Sequence, residues 1–228
     1  MSAEARETVL AALRRSLKRA PGDEAAVEAR LSGHPRGILP ARGQREHSAQ
    51  VELFVEMAEK VQSTTARVSS AAEIPEALTD FLKRHNLGGA VKLAPHGELD
   101  TLPWSEKTPT LTLASGIAVD SDEVSLVRAF GGVAETGTLM LRSGAEGPTT
   151  LNFLPENHVV VIKTSEIGGS YEDVWDRLRA LYGEGNLPRT VNCITGPSRT
   201  GDIEQTIQLG AHGPRRLHII LWDDGEES

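Results

Sequence analysis

Between Thr195 and Pro214 the chain reads Thr-Gly-Pro-Ser-Arg-Thr-Gly-Asp-Ile-Glu-Gln-Thr-Ile-Gln-Leu-Gly-Ala-His-Gly-Pro, a run whose first half has the makings of an anion cradle. Ser198, Thr200 and Asp202 are all acceptable helix-capping residues, and Asp202 with Gln205 has capping-box spacing. Gly196 and Gly201 let a backbone approach a ligand closely. Free N–H groups at a helix start, its positive dipole end and the Arg199 guanidinium would then converge on a phosphate or carboxylate. The plainer alternative is that Thr200 and Asp202 only cap, while Arg199 faces solvent. The flanking runs, Arg189–Ile194 and Leu217–Trp222, have the β-branched, apolar character of buried strands. Ile203 and Ile207 lie one turn apart and Gly210 can end a short helix. Strand, turn, helix, strand is the unit of a parallel α/β sheet, and its turn is where such sheets bind ligands.

A second candidate lies in Ala129–Arg142. Val124–Val127 and Thr138–Leu141 are expected strands, with glycines marking a tight or bulged connection between them. Glu135 therefore falls on a loop or strand end. There a carboxylate can serve as general base, nucleophile or acceptor for substrate hydroxyls, or simply rigidify the turn by accepting backbone N–H groups. Thr136, Gly137 and Thr138 complete this candidate site.

These residues also carry a resemblance. Ala134-Glu-Thr-Gly-Thr138, Leu154-Pro155 followed by His158-Val-Val-Val161, Thr195-Gly-Pro-Ser-Arg-Thr-Gly-Asp-Ile-Glu204 and Gly210-Ala-His-Gly-Pro214 occur in this order in the lactate-utilisation (LUD) domain family. The similarity to its small, cluster-free members is close and covers roughly residues 45–224. Gly201 stands where many relatives carry Ala. The resemblance implies a NagB/RpiA/CoA-transferase-like fold, that of ribose-phosphate isomerases, glucosamine-phosphate deaminases and CoA transferases. It also implies a part in oxidising L-lactate to pyruvate as one of three proteins acting together, with iron–sulfur clusters on a partner. His212 joins the candidate ligand residues on this resemblance alone. A helix of eight residues spans only ~12 Å, which would put His212 at the far end from the cradle.

Cysteine usage constrains the chemistry. A Cys-ligated iron–sulfur cluster needs about four thiolates, and Cys193 is the only one in 228 residues. Its place in an expected buried strand suggests an inert core thiol. No Gly-x-Gly-x-x-Gly opens a helix after a strand, and the seven histidines show no metal-like pair on one helix face. We therefore expect no cofactor in this chain, and electron-carrying centres on other proteins.

The formal charge of −8 argues against nucleic acid as the main partner. Residues 1–50 nevertheless hold nine Lys/Arg against six Asp/Glu. No apolar run approaches the roughly 20 residues of a membrane span. The start, Met1-Ser-Ala-Glu-Ala-Arg-Glu, lacks the apolar core of a signal peptide, so a cytoplasmic location is expected.

Three segments follow: an N-terminal helical arm and linker (1–44), an α/β domain with a mostly parallel sheet flanked by helices (45–224), and an acidic tail (225–228). In the arm, Val9, Leu10, Leu13 and Leu17 recur at helical spacing, Pro21-Gly22 breaks that helix, and Asp23 can cap a second. In the domain, helices are expected over 45–63, 74–85 and 171–181, and strands over 65–68, 90–94, 110–113, 117–119 and 159–162. Thr149–Pro155 is expected to form a short helical turn that carries Asn152 and Pro155 to the cleft. Trp104 and His158 have structural roles as the simpler reading.

Three functions stay open. One is a non-redox subunit that binds a small carboxylate or phosphate ligand and docks on an iron–sulfur partner. Another is a self-sufficient enzyme of isomerase or CoA-transferase type acting through Glu135. The last is an assembly protein without a ligand.

Overall fold

A computed structural model describes residues 3–17, 24–183, 185–200 and 208–225. The chain divides into two compact units, residues 1–38 and 39–228. The first unit contains α1 (Ala3–Ser16) and α2 (Glu24–Gly33). The apolar side chains of α1, Val9 and Leu13, are exposed, as is Leu17 just beyond it. Pro21, Gly22 and Asp23, where a break and a cap are expected, lie outside the described residues.

The second unit opens with α3 (His47–Lys60), β1 (Thr64–Val68), α4 (Ile74–Arg84) and β2 (Ala90–Leu93). Two one-turn helices follow, α5 (Gly97–Asp100) and α6 (Trp104–Lys107), then β3 (Thr112–Ser115), β4 (Val124–Arg128), β5 (Gly131–Val133) and β6 (Thr138–Arg142). A 3₁₀ turn over Thr149–Asn152 precedes β7 (Asn157–Lys163), β8 (Ile167–Gly168) and α7 (Tyr171–Tyr182). The remainder is β9 (Val191–Ile194), β10 (Arg199–Thr200), β11 (Gln208–Leu209) and β12 (Arg216–Trp222).

Six strands form a wholly parallel sheet in the order β1-β12-β7-β4-β2-β3. Its centre is buried on both faces, which is why Val159–Ile162 and Ile219–Leu221 are continuous apolar runs rather than alternating ones. Helix α4 starts with Pro75 in its first turn and buries Ile74, Leu78, Phe81 and Leu82, one stripe at helical spacing. It packs on β12 and β1. Helix α3 buries Val51, Leu53, Phe54 and Ala58 and contacts both β1 and β8, so it bridges two sheets. The second sheet, β8-β5-β6-β9, has antiparallel β5–β6 and β6–β9 pairs and covers the first. Helix α7 closes its outer side with Val174 and Leu178, its entry fixed by the Ser170 N–H donating to Asp173 Oδ2 at 2.9 Å.

Three expectations are corrected. The strand at Val191–Ile194 does not adjoin Arg216–Trp222 in a parallel sheet; it pairs antiparallel with β6 in the smaller sheet. Val191–Ile194 and Arg216–Trp222 are therefore not the two neighbouring strands of one parallel unit, and Arg199–Thr200 pairs antiparallel with Gln208–Leu209. The middle of the expected helix, including Ile203 and Ile207, lies outside the described residues, as do Gly201 and Asp202. Cys193 is exposed rather than a core thiol, because β9 is the edge strand of the smaller sheet and not a strand inside the buried parallel one. Ile117–Val119 is not a strand; the Ala118 N–H donates to Thr150 Oγ1 at 3.2 Å and the Val119 N–H to Asp122 Oδ2 at 2.8 Å. Side chains thus replace the ladder there.

Candidate functional site

Antiparallel pairing of β6 with β9 joins the two motifs singled out in the sequence. Thr138 Oγ1 lies 2.7 Å from Thr195 Oγ1, 2.7 Å from Thr136 Oγ1 and 2.9 Å from the Tyr171 hydroxyl. Thr136 and Thr138 thus sit in a closed chain of hydroxyls. Glu135 is buried; its N–H donates to the Gly169 carbonyl at 3.2 Å, and its Oε2 has no partner among the described residues.

The glycines of both motifs meet the end of α3. Gly137 has φ +66°, and a Cβ there would overlap the Ala58 backbone nitrogen. Gly196 has φ +78°, and its Cβ would stand 2.5 Å from the Val61 carbonyl oxygen. Close approach is therefore to the protein's own helix. The Arg199 guanidinium donates to that same Val61 carbonyl, a favourable place for a cation at a helix C-terminus. Thr200 pairs with Gln208 in the short β10–β11 ladder.

Beside this frame lies a cavity of about 210 Å³. Its walls include Asn152, His158, Cys193, Ser198, Pro214 and Leu217. The Ser198 N–H donates to the Pro214 carbonyl at 2.8 Å and the Gly210 N–H to the Ser198 carbonyl at 3.0 Å, clipping two loops together. Asn152 ends the 3₁₀ turn and is 4% exposed, as the expected helical turn requires. His212 is exposed and is not among the cavity's lining residues. None of the lining residues carries a formal charge at neutral pH.

His158 stands at the start of β7, in register with Ser125 on β4 and Leu217 on β12. It is fully buried, and burial pushes its imidazole down to about 3. Its Nδ1 lies 3.0 Å from Ser125 Oγ, while that hydroxyl donates to the Leu151 carbonyl at 2.7 Å. A hydroxyl has one proton and a carbonyl can only accept. Ser125 therefore accepts from Nδ1–H, and Nε2 keeps its lone pair. That Nε2 has no partner among the described residues. Ser125 went unnoticed in the sequence, although a polar residue inside the apolar run Val124–Val127 signals a buried hydrogen bond.

A larger cavity of about 590 Å³ opens where the C-terminal ends of β2 and β4 diverge. The connection from β2 runs outward to β3, whereas β4 continues on the other side of β2, so this is the sheet's switch point. Arg128, its side chain 4% exposed, donates to Glu98 at 2.9 Å, Glu166 at 2.6 Å and the Ala129 carbonyl at 2.6 Å. Burial raises Glu98, but Lys163 and Arg128 outweigh it and hold the carboxyl below its ordinary value. The opposite charges satisfy one another, so this crevice presents an internally closed ion network. Among the described residues no group of three or more His, Cys, Asp or Glu could hold a metal ion, and no helix is long and apolar enough to cross a membrane.

Comparisons with known proteins agree with this architecture. Residues 51–222 match the LUD domain. An uncharacterized protein of Neisseria meningitidis serogroup B is 40% identical over 89 residues, 39% of this chain and 37% of that protein's length. Lactate utilization protein C of a Geobacillus species is 25% identical over 231 residues, 87% of this chain and 93% of the other. The crystal structure of a DUF162 family protein from Deinococcus radiodurans aligns with a TM-score of 0.57 at 22% identity, covering 78% of this chain and 99% of that one; this likeness concerns the fold. With the match extending over most of its length, the chain belongs to the LUD domain family.

Proposed function

We propose that the protein is a non-redox component of an L-lactate utilisation system, which holds a small organic ligand in the His158 cavity and works with iron–sulfur partners. The lactate role is supported by the similarity, over 87% of this chain, to a lactate utilization protein C. The single cysteine supports placing the clusters on other chains. The ligand reading is carried by one observation: a buried imidazole nitrogen, left without a partner, belongs to a residue lining the cavity where the family motifs meet. An unpaired buried polar atom is costly, on the order of 1–3 kcal/mol, so one that borders a cavity calls for an explanation such as a bound partner. The cavity lies below the ~300 Å³ typical of drug-sized ligands, which suits a molecule of few heavy atoms.

Arg199 is held by Val61 and sits outside this cavity's lining, so a charged cradle is not the basis of the reading. The test is complementation of growth on L-lactate. A strain lacking the protein should be rescued by wild type and not by Asn152→Ala or His158→Leu, provided both variants are folded. Tagged wild type should retain an iron–sulfur protein from the same cells. Rescue by both folded variants would end the ligand reading; failure to retain a cluster protein would end the docking reading.

A further inference from the structure

We propose that the crevice at the switch point of the parallel sheet is a second ligand site, which takes a small organic phosphate monoester on Arg142 in place of the protein's own Glu146 carboxylate. The proposal does not depend on the His158 cavity being a ligand site.

The crevice, about 590 Å³, is far larger than a lone oxyanion requires and falls within the ~300–1,000 Å³ of small-molecule sites. Its Arg128 side closes on itself, but the Arg142 side does not. Arg142 ends β6, with its guanidinium carbon 5.9 Å from the centroids of both the Phe130 and the Tyr182 rings. Nη1 donates to the Tyr182 hydroxyl at 3.1 Å, so that hydroxyl keeps its own proton to give to a ligand. Nη2 meets Glu146 Oε2 at 3.3 Å. A charge-assisted bond of good geometry is shorter, about 2.7–2.9 Å. The Glu146 side chain is also 58% exposed, and a long, single, solvated contact of this kind contributes little.

The Glu146 loop can give way. Gly144 and Gly147 close its turn with two backbone bonds of 3.3 and 3.2 Å, and a Cβ on Gly144 would meet nothing, so the tip stands clear of the domain. His96 supplies a further donor. Its Nδ1 accepts the Glu98 N–H at 3.3 Å and burial holds the ring below its ordinary value, so at neutral pH the proton is on Nε2. His96, Arg142 and Tyr182 all line the crevice.

Charge selects the ligand class. Arg128, Arg142, Arg177 and Lys163 are paired here with Glu98, Glu146 and Glu166. When Glu146 swings out, the cations exceed the carboxylates by two, which matches a phosphate monoester dianion better than a monocarboxylate. The guanidinium fork can also hold two phosphate oxygens at once, where Glu146 offers it one. Phe130, Ala145 and the Tyr182 ring leave apolar wall for the organic body.

The experiment titrates the full-length protein with glycerol 1-phosphate, inorganic phosphate and acetate at neutral pH by calorimetry, in wild type, Glu146→Gln and Arg142→Met. Glycerol 1-phosphate is expected to bind wild type more tightly than either small anion. Glu146→Gln should bind it about threefold more tightly, the order expected when one exposed competing carboxylate is removed; a merely structural Glu146 gives no gain. Arg142→Met should weaken binding at least about tenfold. Glu146→Gln alters one exposed side chain, so it keeps the test intact if Arg142→Met misfolds. No binding of the ester to wild type or to Glu146→Gln overturns the proposal. So does an affinity unchanged in Glu146→Gln, or inorganic phosphate or acetate binding as tightly as the ester. Each of these outcomes leaves the His158 reading standing.

Discussion

Thr138 and Thr195 share a hydrogen bond of 2.7 Å across 57 residues of sequence. That contact sits where β6 leaves the Glu135 turn and β9 enters the Gly-Pro-Ser-Arg loop, so the two motifs form a single packed corner. Both then abut the C-terminal end of α3 through Gly137 and Gly196. The motif residues in this corner are hydrogen-bonded to one another or pressed on α3. Thr195, Gly196, Pro197 and Ser198 also line the neighbouring cavity, whereas Thr136, Gly137 and Thr138 do not.

Gly137→Ala should be among the most damaging substitutions in this corner. The left-handed φ alone costs about 1–2 kcal/mol, and overlap with the α3 backbone adds to it. We expect a loss above about 2 kcal/mol in urea unfolding. Gly196→Ala, which meets the Val61 carbonyl oxygen at 2.5 Å and the Val61 side chain at 3.1 Å rather than three backbone atoms under 3 Å, should cost less. Equal stability of Gly137→Ala and wild type would refute the close approach.

Arg199→Ala separates a helix-end role from a ligand role. Its guanidinium is bound to the Val61 carbonyl in an exposed setting, where a cation at a helix terminus contributes about 0.3–1 kcal/mol. A stability loss of that order with unchanged ligand affinity is expected. A tenfold drop in affinity at constant stability would return Arg199 to the ligand site.

Acid should weaken the fold well before its carboxylates titrate. Burial holds His158 at about 3 and His218 at about 4, the latter also disfavoured by the charges of Arg84 and His85. In the unfolded chain both take a proton near 6.5. Between these values the unfolded state binds more protons, so stability is fully present above pH 6.5 and falls as pH drops towards 4. At pH 5.5 each contributes a loss of about 1.4 kcal/mol, about 3 kcal/mol together. His85 and His96, also lowered by burial, act in the same direction. Denaturant midpoints at pH 7.5 and 5.5 check this, and His158→Leu should flatten the difference by about half.

Cys193 reports on the cavity. It is exposed, lines the cavity, and is the only thiol. Partial desolvation raises its thiol above the ordinary value, so alkylation should be slow at pH 7 and faster at pH 9. One equivalent should react per chain, and saturating L-lactate should slow that reaction severalfold. An unaffected rate at saturation would place the ligand elsewhere.

Arg128→Met tests the switch-point network. It removes a buried guanidinium from two carboxylates and a carbonyl. A loss of about 3 kcal/mol is expected, towards the low end for breaking a buried pair, because Glu98 keeps Lys163 and partial access to water. A loss under 0.5 kcal/mol would show that the network contributes nothing net.

Local physics made much of this legible in advance. The stripe Ile74, Leu78, Phe81 and Leu82 prescribes a helix whichever sheet it meets, and the unbroken apolar run Val159–Ile162 prescribes a strand buried on both faces. Trp104 behaves as its apolar surroundings suggest, packing at the core edge while its indole N–H donates to the Leu99 carbonyl at 2.8 Å. The 3₁₀ turn bringing Asn152 to the cavity was readable from Thr149 to Pro155 for the same reason.

What the residue string determined by itself was therefore the main helices and central strands, the parallel α/β class and the family motifs, because spacing and turn chemistry act within a few residues. Which sheet Val191–Ile194 joins was decided only by tertiary pairing with β6, since an apolar strand carries no label for its neighbour. Tertiary structure likewise exposed Cys193, turned Arg199 to the end of α3, and fixed which nitrogen of His158 bears the proton. Each of these depends on a partner from another part of the chain, some more than a hundred residues away, and no local pattern encodes such a partner.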